Sequence, residues 1–442
     1  MLLAPREPMH APEIETIPVA NLRLLQEERL GALLSRLSAS GSPWWAEKLA
    51  GVDLSRHALR DIPSLPFTMK SEFRDTYPYG MLACPQSEVV RVHASSGTSG
   101  KPTIVAYTRS DIEVFAEVNA RALGCAGGTP DDVIHVAYGY GLFTGGLGLH
   151  YGAEELGAVT VPASGGNASF QIGLLADLGA TGLACTPSFA MLLSERAAEM
   201  GMLDRIDLRW GIHGAEPWSE GFRYKLEQAW GGNYSACDIY GLSEVIGPGV
   251  AAECREAKGG MHIFEDHFFP EIVDPETGDP VAEGAVGELV ITTLTKEAQP
   301  VLRFRTGDIT QFMPGGCACG RTSRRISRIQ GRVDDMLIIR GINVYPREIE
   351  AILLADNGVA GTYAIVVDRR GTLTELVARV ELADASLQDQ REEIQRRLEA
   401  QLAETIRIRV TVEVSDIGAI PRPEMGKAKR VFFQDSDADP VV

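Results

Sequence analysis

The sequence predicts an α/β protein: a large N-terminal α/β domain with parallel sheets and a β subdomain, followed by a small, mobile α+β domain. Three observations predict it. Between residues 103 and 215, short apolar runs rich in β-branched residues alternate with helix-length stretches, the pattern of successive βαβ units. Across residues 286–313 the pattern shifts to alternating residues broken by turn signals, as in antiparallel strands. From about residue 333 the composition changes again, and roughly a hundred residues carry the elements of a compact second unit. We therefore expect one domain over residues 1–333 and a second over 334–442.

Each element has its own signal. Leu22, Leu24, Leu25, Leu30, Leu33 and Leu34 recur at helical spacing within residues 14–60, and Pro63 and Pro66 end that region. Thr68–Phe73 reads as a helix start. Val89–His93 and Thr103–Tyr107 read as strands. Ser110 or Asp111 can cap a helix that runs to about Leu123. Strands are expected at Val133–Ala137, Val159–Pro162, Gly182–Pro187 and Arg209–Ala215, with helices at Phe170–Leu178 and Ser188–Met200. In the second unit Met336–Arg340 is a strand, and Pro346 starts a helix with Ile349, Ile352 and Leu353 on one face. Strands at Tyr363–Val367 and Leu376–Val380, a helix from about Leu387 to Ile406 and a strand at Arg409–Val414 complete it.

Composition narrows the function. A net charge of −18 over 442 residues argues against nucleic acid as the main partner. No apolar run reaches the roughly 18 residues a membrane span needs, and residues 1–8 lack the apolar stretch of a secretory signal. A cytoplasmic location is the expectation. Seven cysteines, an odd number scattered through a long chain, are not a disulfide framework.

The chemistry centres on Ser95-Ser96-Gly97-Thr98-Ser99-Gly100-Lys101-Pro102. Glycines let a backbone approach a phosphate closely, hydroxyls and amides donate to its oxygens, and Lys101 adds a point charge. It is not a Walker A loop, which needs four residues between its glycines and a hydroxyl after the lysine. Tyr138-Gly139-Tyr140-Gly141-Leu142-Phe143-Thr144-Gly145-Gly146 directly follows a predicted strand, where ligands bind in parallel sheets. Tyr138, Tyr140, Phe143 and Gly146 can wall a pocket for a flat acid, or simply pack as aromatic core. Tyr240-Gly241-Leu242-Ser243-Glu244 follows strand-like residues that include Asp238. Beside a triphosphate, Glu244 can hold Mg²⁺ and Tyr240 can face adenine. Asp308, expected at a turn that ends a strand, can accept hydrogen bonds from two ribose hydroxyls. Gly331-Arg332-Val333-Asp334-Asp335 reads as a hinge turning at Asp334, and Gly426-Lys427 puts a lysine on a glycine turn of the second unit.

Individually weak, these motifs are informative in their order, which resembles the adenylate-forming superfamily along nearly the whole chain. The closer resemblance is to the phenylacetate–CoA ligase family. It is densest in Val92–Thr98, Tyr138–Gly146, Gly214-Ala215-Glu216-Pro217-Trp218, Ile239–Glu244 with Gly247–Val250, and Ile338–Pro346. The resemblance implies ATP-dependent coupling of an aryl or arylacetic acid to CoA through an acyl-AMP. It places Ser95–Lys101 on the phosphates, Gly214–Pro217 along adenine, and Asp238, Tyr240, Gly241, Ser243 and Arg332 in the nucleotide site. Asp308 would hold ribose, Glu244 Mg²⁺, and Lys427 the charge of the first step. The small domain would then turn about Asp334.

Cys254, His262, Cys317 and Cys319 suit tetrahedral zinc by ligand type but not by a standard finger spacing, so unliganded cysteines fit equally well. The resemblance implies a structural zinc. Arg321, Arg324, Arg325 and Arg328 read either as a contact for CoA phosphates or as a salt-bridged surface. His213 stands where the family carries an aromatic or apolar residue, and would place a polar group near the acid. Other readings stay open: an aryl-acid adenylase of aminobenzoate or hydroxyanthranilate type serving a carrier-protein thiol or an amine, and a non-catalytic nucleotide-binding regulator. Homodimerisation is also left open.

Overall fold

The structure is a computed structural model and describes residues 9–95, 102–333, 337–339, 342–370, 374–406, 408–422 and 428–436. An eight-stranded sheet is its backbone. Five parallel strands, ordered Val159–Val161, Val133–Val136, Gly182–Cys185, Trp210–Gly214, Ser235–Leu242, continue into three antiparallel ones, Gly247–Glu253, Gly260–Ile263 and Arg325–Ser327. The parallel strands are short and apolar because both faces are covered, as βαβ crossovers require. Helices Arg109–Cys125 and Gly145–Leu156 cover one flank, and Pro187–Glu199 and Glu220–Ala229 pack with the small domain in a separate core.

The first of these helices starts two to three residues earlier than the Ser110 or Asp111 cap suggested by the sequence. Thr108 is its cap, accepting the Asp111 amide at 3.1 Å, while the Asp111 carboxylate returns to the Thr108 amide at 2.9 Å. Asp111 also accepts the Ala298 amide at 2.9 Å, so one buried carboxylate fastens the helix to the β subdomain. That subdomain is antiparallel as expected, its strands being Phe268–Val273, Gly287–Thr293, Phe304–Thr310 and Gly331–Arg332. The strands Arg91–Ser95 and Thr103–Tyr107 pair antiparallel on either side of the glycine-rich loop.

The second unit holds helices Pro346–Ala355 and Arg391–Ile406 on a four-stranded sheet ordered Val410–Ser415, Glu375–Leu382, Val359–Asp368, Val431–Gln434. The last strand, unforeseen from sequence, joins Val359–Asp368 in parallel. Among the described residues no helix is long and apolar enough to cross a membrane.

A buried ion pair locks one flank of the large sheet. Arg223 on helix Glu220–Ala229 donates to Glu253 at 2.7 and 2.8 Å, and neither side chain is more than 4% exposed. Glu253 also accepts the Asp238 amide at 3.0 Å. Replacing Glu253 by Gln leaves buried Arg223 with only the exposed Glu220, 3.4 Å from its Nε, as counter-charge. The expected cost is about 3 kcal/mol, read as a lower denaturant midpoint with an unchanged slope; an unshifted midpoint would contradict it.

Candidate active site

The carboxyl ends of the parallel strands gather the residues that carry chemistry. Strand Trp210–Gly214 runs into Gly214-Ala215-Glu216-Pro217. No side chain fits at Gly214, where a Cβ would lie 2.3 Å from the Ile239 carbonyl oxygen. Ala215 takes a left-handed φ of 71°, which costs a non-glycine residue about 1–2 kcal/mol and holds the turn in an unusual shape. Tyr138 grips this turn: its hydroxyl accepts the Gly214 amide at 2.8 Å. Glu216 is committed to the first turn of helix Pro187–Glu199, accepting the Ser188 amide at 3.2 Å and hydroxyl at 2.5 Å.

The neighbouring strand Ser235–Leu242 carries Asp238, Tyr240 and Gly241. The Tyr240 hydroxyl donates to Asp308 Oδ2 at 2.6 Å, and Arg332 Nη1 donates to Asp308 Oδ1 at 2.9 Å. Asp308 and Arg332 are direct partners across two antiparallel strands. Three residues from three separate motifs thus meet at one carboxylate. Burial, together with the Asp308 charge, holds the Tyr240 phenol well above its ordinary range. Burial, then the charge of Glu253, pushes the Asp238 carboxyl up to about 7.

Asp308 is not at a strand-ending turn, as expected from sequence, but inside strand Phe304–Thr310 at a bulge. Glu288 pairs with Ile309 and Val290 with Arg305, so Thr306, Gly307 and Asp308 oppose Leu289 alone. Gly307 supplies the required φ of 78°, and its amide donates to Glu288 Oε1 at 3.0 Å. The bulge has no distinctive sequence pattern beyond a glycine beside an aspartate, the same cue as a turn.

Glu244 is 2% exposed, with Oε1 3.0 Å from the Lys70 ammonium. Its backbone carbonyl accepts from Lys296 Nζ at 3.4 Å, while that ammonium lies 4.8 Å from the centre of the Tyr107 ring. Burial pushes the Lys296 ammonium down to about 8. Neither lysine stood out in the sequence: Lys296 is buried but looks there like a surface lysine, and Lys70, its side chain 48% exposed, is one. The Ser243 and Thr144 hydroxyls lie 3.5 Å apart. Ser95 closes its strand opposite Thr103. Ser96, Gly97, Thr98, Ser99, Gly100, Lys101, Asp334 and Lys427 lie outside the described residues.

Of the expected acid pocket, Tyr138 is buried, Tyr140 is half-buried with its hydroxyl 3.2 Å from His150 Nδ1, Phe143 is exposed, and Gly146 lies in the first turn of helix Gly145–Leu156. His213 differs from its expectation. Its Nδ1 lies 3.0 Å from the Cys185 carbonyl oxygen and its Nε2 2.8 Å from the Tyr234 hydroxyl, so both nitrogens are engaged within the protein. Strand alternation is the reason: Ile212 and Gly214 face one side of the sheet, and His213 the other, against Trp218 and Tyr234. Burial pushes this imidazole down to about 4.

At the antiparallel end of the sheet, Cys254, His262, Cys317 and Cys319 bring four potential ligand atoms within 4.8 Å of one another. Cys254 Sγ is 3.4 Å from Cys317 Sγ, and Cys319 Sγ is 3.4 Å from His262 Nε2. The thiols are too far apart for a disulfide, whose sulfurs sit about 2.05 Å apart. Ser323, its carbonyl and hydroxyl oxygens each 3.3 Å from His262 Nδ1, orients the ring with Nε2 toward the thiols. Three thiols and an imidazole converging in this way fit a tetrahedral zinc. Of the nearby arginines, Arg321 pairs with Glu15, Arg324 with Glu265 and Arg328 with Glu220, the salt-bridged alternative of the sequence reading.

A carboxylate held by Tyr240 from the parallel sheet and Arg332 from the β subdomain, with a small α+β domain in the same chain, is the arrangement expected of an adenylate-forming enzyme. The AMP-binding enzyme family model matches residues 64–295, and the AMP-binding enzyme C-terminal domain model matches residues 341–434. Within this class the chain belongs to the phenylacetate–CoA ligase-like family. The phenylacetate-coenzyme A ligase of Thermus thermophilus is 47% identical over 443 residues, spanning 96% of this chain and 99% of that one. Crystal structures of a 2-hydroxyisobutyryl-CoA ligase are also similar. The postadenylation state with bound 2-HIB-AMP is 29% identical with a TM-score of 0.88, covering 98% of this chain and 94% of that one. The thioesterification state with CoA is 30% identical with a TM-score of 0.70, covering 96% and 91%.

Proposed function

We propose that this chain joins a small aromatic carboxylic acid to CoA, at the expense of ATP, through an acyl-AMP intermediate. The observation that carries the reading is the meeting of Tyr240, Asp308 and Arg332 at one site in a chain that matches acid–CoA ligases over almost its whole length. In the first step a carboxylate oxygen attacks the α-phosphate of ATP and pyrophosphate leaves. In the second, the CoA sulfur attacks the acyl carbonyl and AMP leaves. No side-chain nucleophile is required; catalysis is positioning and charge stabilisation.

The roles are those the family resemblance implies, and the Tyr240–Asp308–Arg332 contacts support that of Asp308. Asp308, held by Tyr240 and Arg332, accepts from the ribose hydroxyls. Gly214–Pro217 line adenine along the turn in which Ala215 is left-handed. The loop Ser95–Lys101 cradles the phosphates, and Lys427 neutralises charge in the first step. Tyr138, Tyr140, Phe143 and Gly146 line the acid. Glu244 would hold Mg²⁺, which when bound neutralises charge on the phosphate oxygens; Lys70 balances the carboxylate here. Cys254, His262, Cys317 and Cys319 would hold a structural zinc. Residues 1–333 form the adenylation domain and 334–442 the mobile one, turning at Asp334. The location is cytoplasmic.

Acid-dependent exchange of labelled pyrophosphate into ATP, screened over phenylacetate, benzoate, anthranilate and hydroxylated aminobenzoates, tests the reading. Exchange with at least one of these acids is expected; exchange with none would overturn it.

A further inference from the structure

The segment that leads to Gly426-Lys427 is tied to both halves of the molecule by one guanidinium. Arg422 donates from Nη1 to Glu381 Oε1 at 3.1 Å and from Nη2 to Glu381 Oε2 at 2.9 Å. Its Nε donates to Glu195 Oε2 at 2.8 Å, and Nη2 also reaches Glu195 Oε1 at 3.2 Å. Glu381 lies on strand Glu375–Leu382 of the small sheet, whereas Glu195 lies on helix Pro187–Glu199 beside the large one.

The two arms are unequal. Glu381 is fully buried and also accepts the Ile420 amide at 2.7 Å, so its arm is a permanent part of the small domain. The Glu195 side chain is 33% exposed, and water can replace its half of the pair at little cost. A bidentate arginine–carboxylate contact is directional, so it favours one orientation of the bodies it joins. Other contacts share this docking face: the Ser219 amide donates to Glu350 Oε1 at 3.0 Å, and Lys225 Nζ to the Asp356 carbonyl at 3.1 Å. Arg422 differs in lying on the segment that carries Lys427.

This structure superposes better on the postadenylation form of the 2-hydroxyisobutyryl-CoA ligase than on its thioesterification form. We infer that the Glu195–Arg422 pair is a reversible latch that holds the small domain in the orientation used for acyl-AMP formation, and that it parts for transfer to the thiol. Glu195 is thus a positioning residue acting through the docked domain. The inference rests on the acid–CoA ligase reading.

The test measures the two half-reactions separately in the full chain, for the wild type, Glu195→Gln and Glu195→Lys. The first is acid-dependent pyrophosphate exchange. The second is thioester formation from CoA and the presynthesised acyl-AMP of the acid that supports exchange. Glu195→Gln is expected to slow exchange about three- to tenfold, the range of a partly exposed bidentate pair, with thioester formation equal to wild type or faster. Glu195→Lys deepens the exchange defect. Parallel losses in both half-reactions, a loss confined to thioester formation, or no change in either would overturn the latch. Absence of exchange in the wild type with every acid would instead overturn the ligase reading, and the latch with it.

Discussion

Asp308→Ala is expected to reduce kcat/KM for ATP in the exchange reaction by about 100- to 10,000-fold. Each hydrogen bond to a charged group is worth about 1.5–3 kcal/mol, and the proposed site offers ribose two of them through a carboxylate already oriented by Tyr240 and Arg332. Much of the loss should fall on KM, because ribose does not react and its contact is made with substrate and transition state alike. Stability should change little. The Arg332 side chain is 34% exposed, so water can take the place of the Asp308 carboxylate beside it. An Asp308→Ala enzyme with kcat/KM for ATP within threefold of wild type would refute the assignment.

Loss of the sulfur–imidazole cluster should have the largest effect on stability. Protein isolated without chelator is expected to hold about one zinc per chain, measured by elemental analysis. Cys319→Ser should abolish that zinc and lower stability by at least about 3 kcal/mol, since metal binding to the folded state is folding free energy. The physical reason is local. Cys254 directly follows strand Gly247–Glu253, His262 lies on the next strand, and Cys317 and Cys319 sit in the loop returning to Arg325–Ser327. The metal would close the antiparallel end of the large sheet. Metal-free protein together with an unaltered melting point for Cys319→Ser would exclude a structural zinc.

The βαβ part of the fold was legible because buried parallel strands are short apolar runs with few alternatives. Gly182–Cys185 and Trp210–Gly214 were both found for that reason. Strand Val431–Gln434 was missed: it is short, and its pairing with Val359–Asp368 is a long-range event without local periodicity. The site was legible as a set of motifs but not as a geometry. Tyr240, Asp308 and Arg332 were each named, yet their common contact depends on strand register, which no motif encodes. His213 shows the converse, a polar residue assigned to the pocket by position that strand alternation turns toward Tyr234. Lys70 and Lys296 escaped notice because no motif marks them: burial sets Lys296 apart, and only the contact with Glu244 sets apart the exposed Lys70.

The most direct test of acyl-AMP chemistry is a single-turnover experiment with enzyme in excess over the acid selected by the exchange screen. With ATP but no CoA, quenched samples should contain enzyme-bound acyl-AMP and free pyrophosphate in equal amounts. Adding CoA should convert the adenylate to acyl-CoA and AMP without further ATP. Formation of ADP, or of thioester without a prior adenylate, would contradict the account.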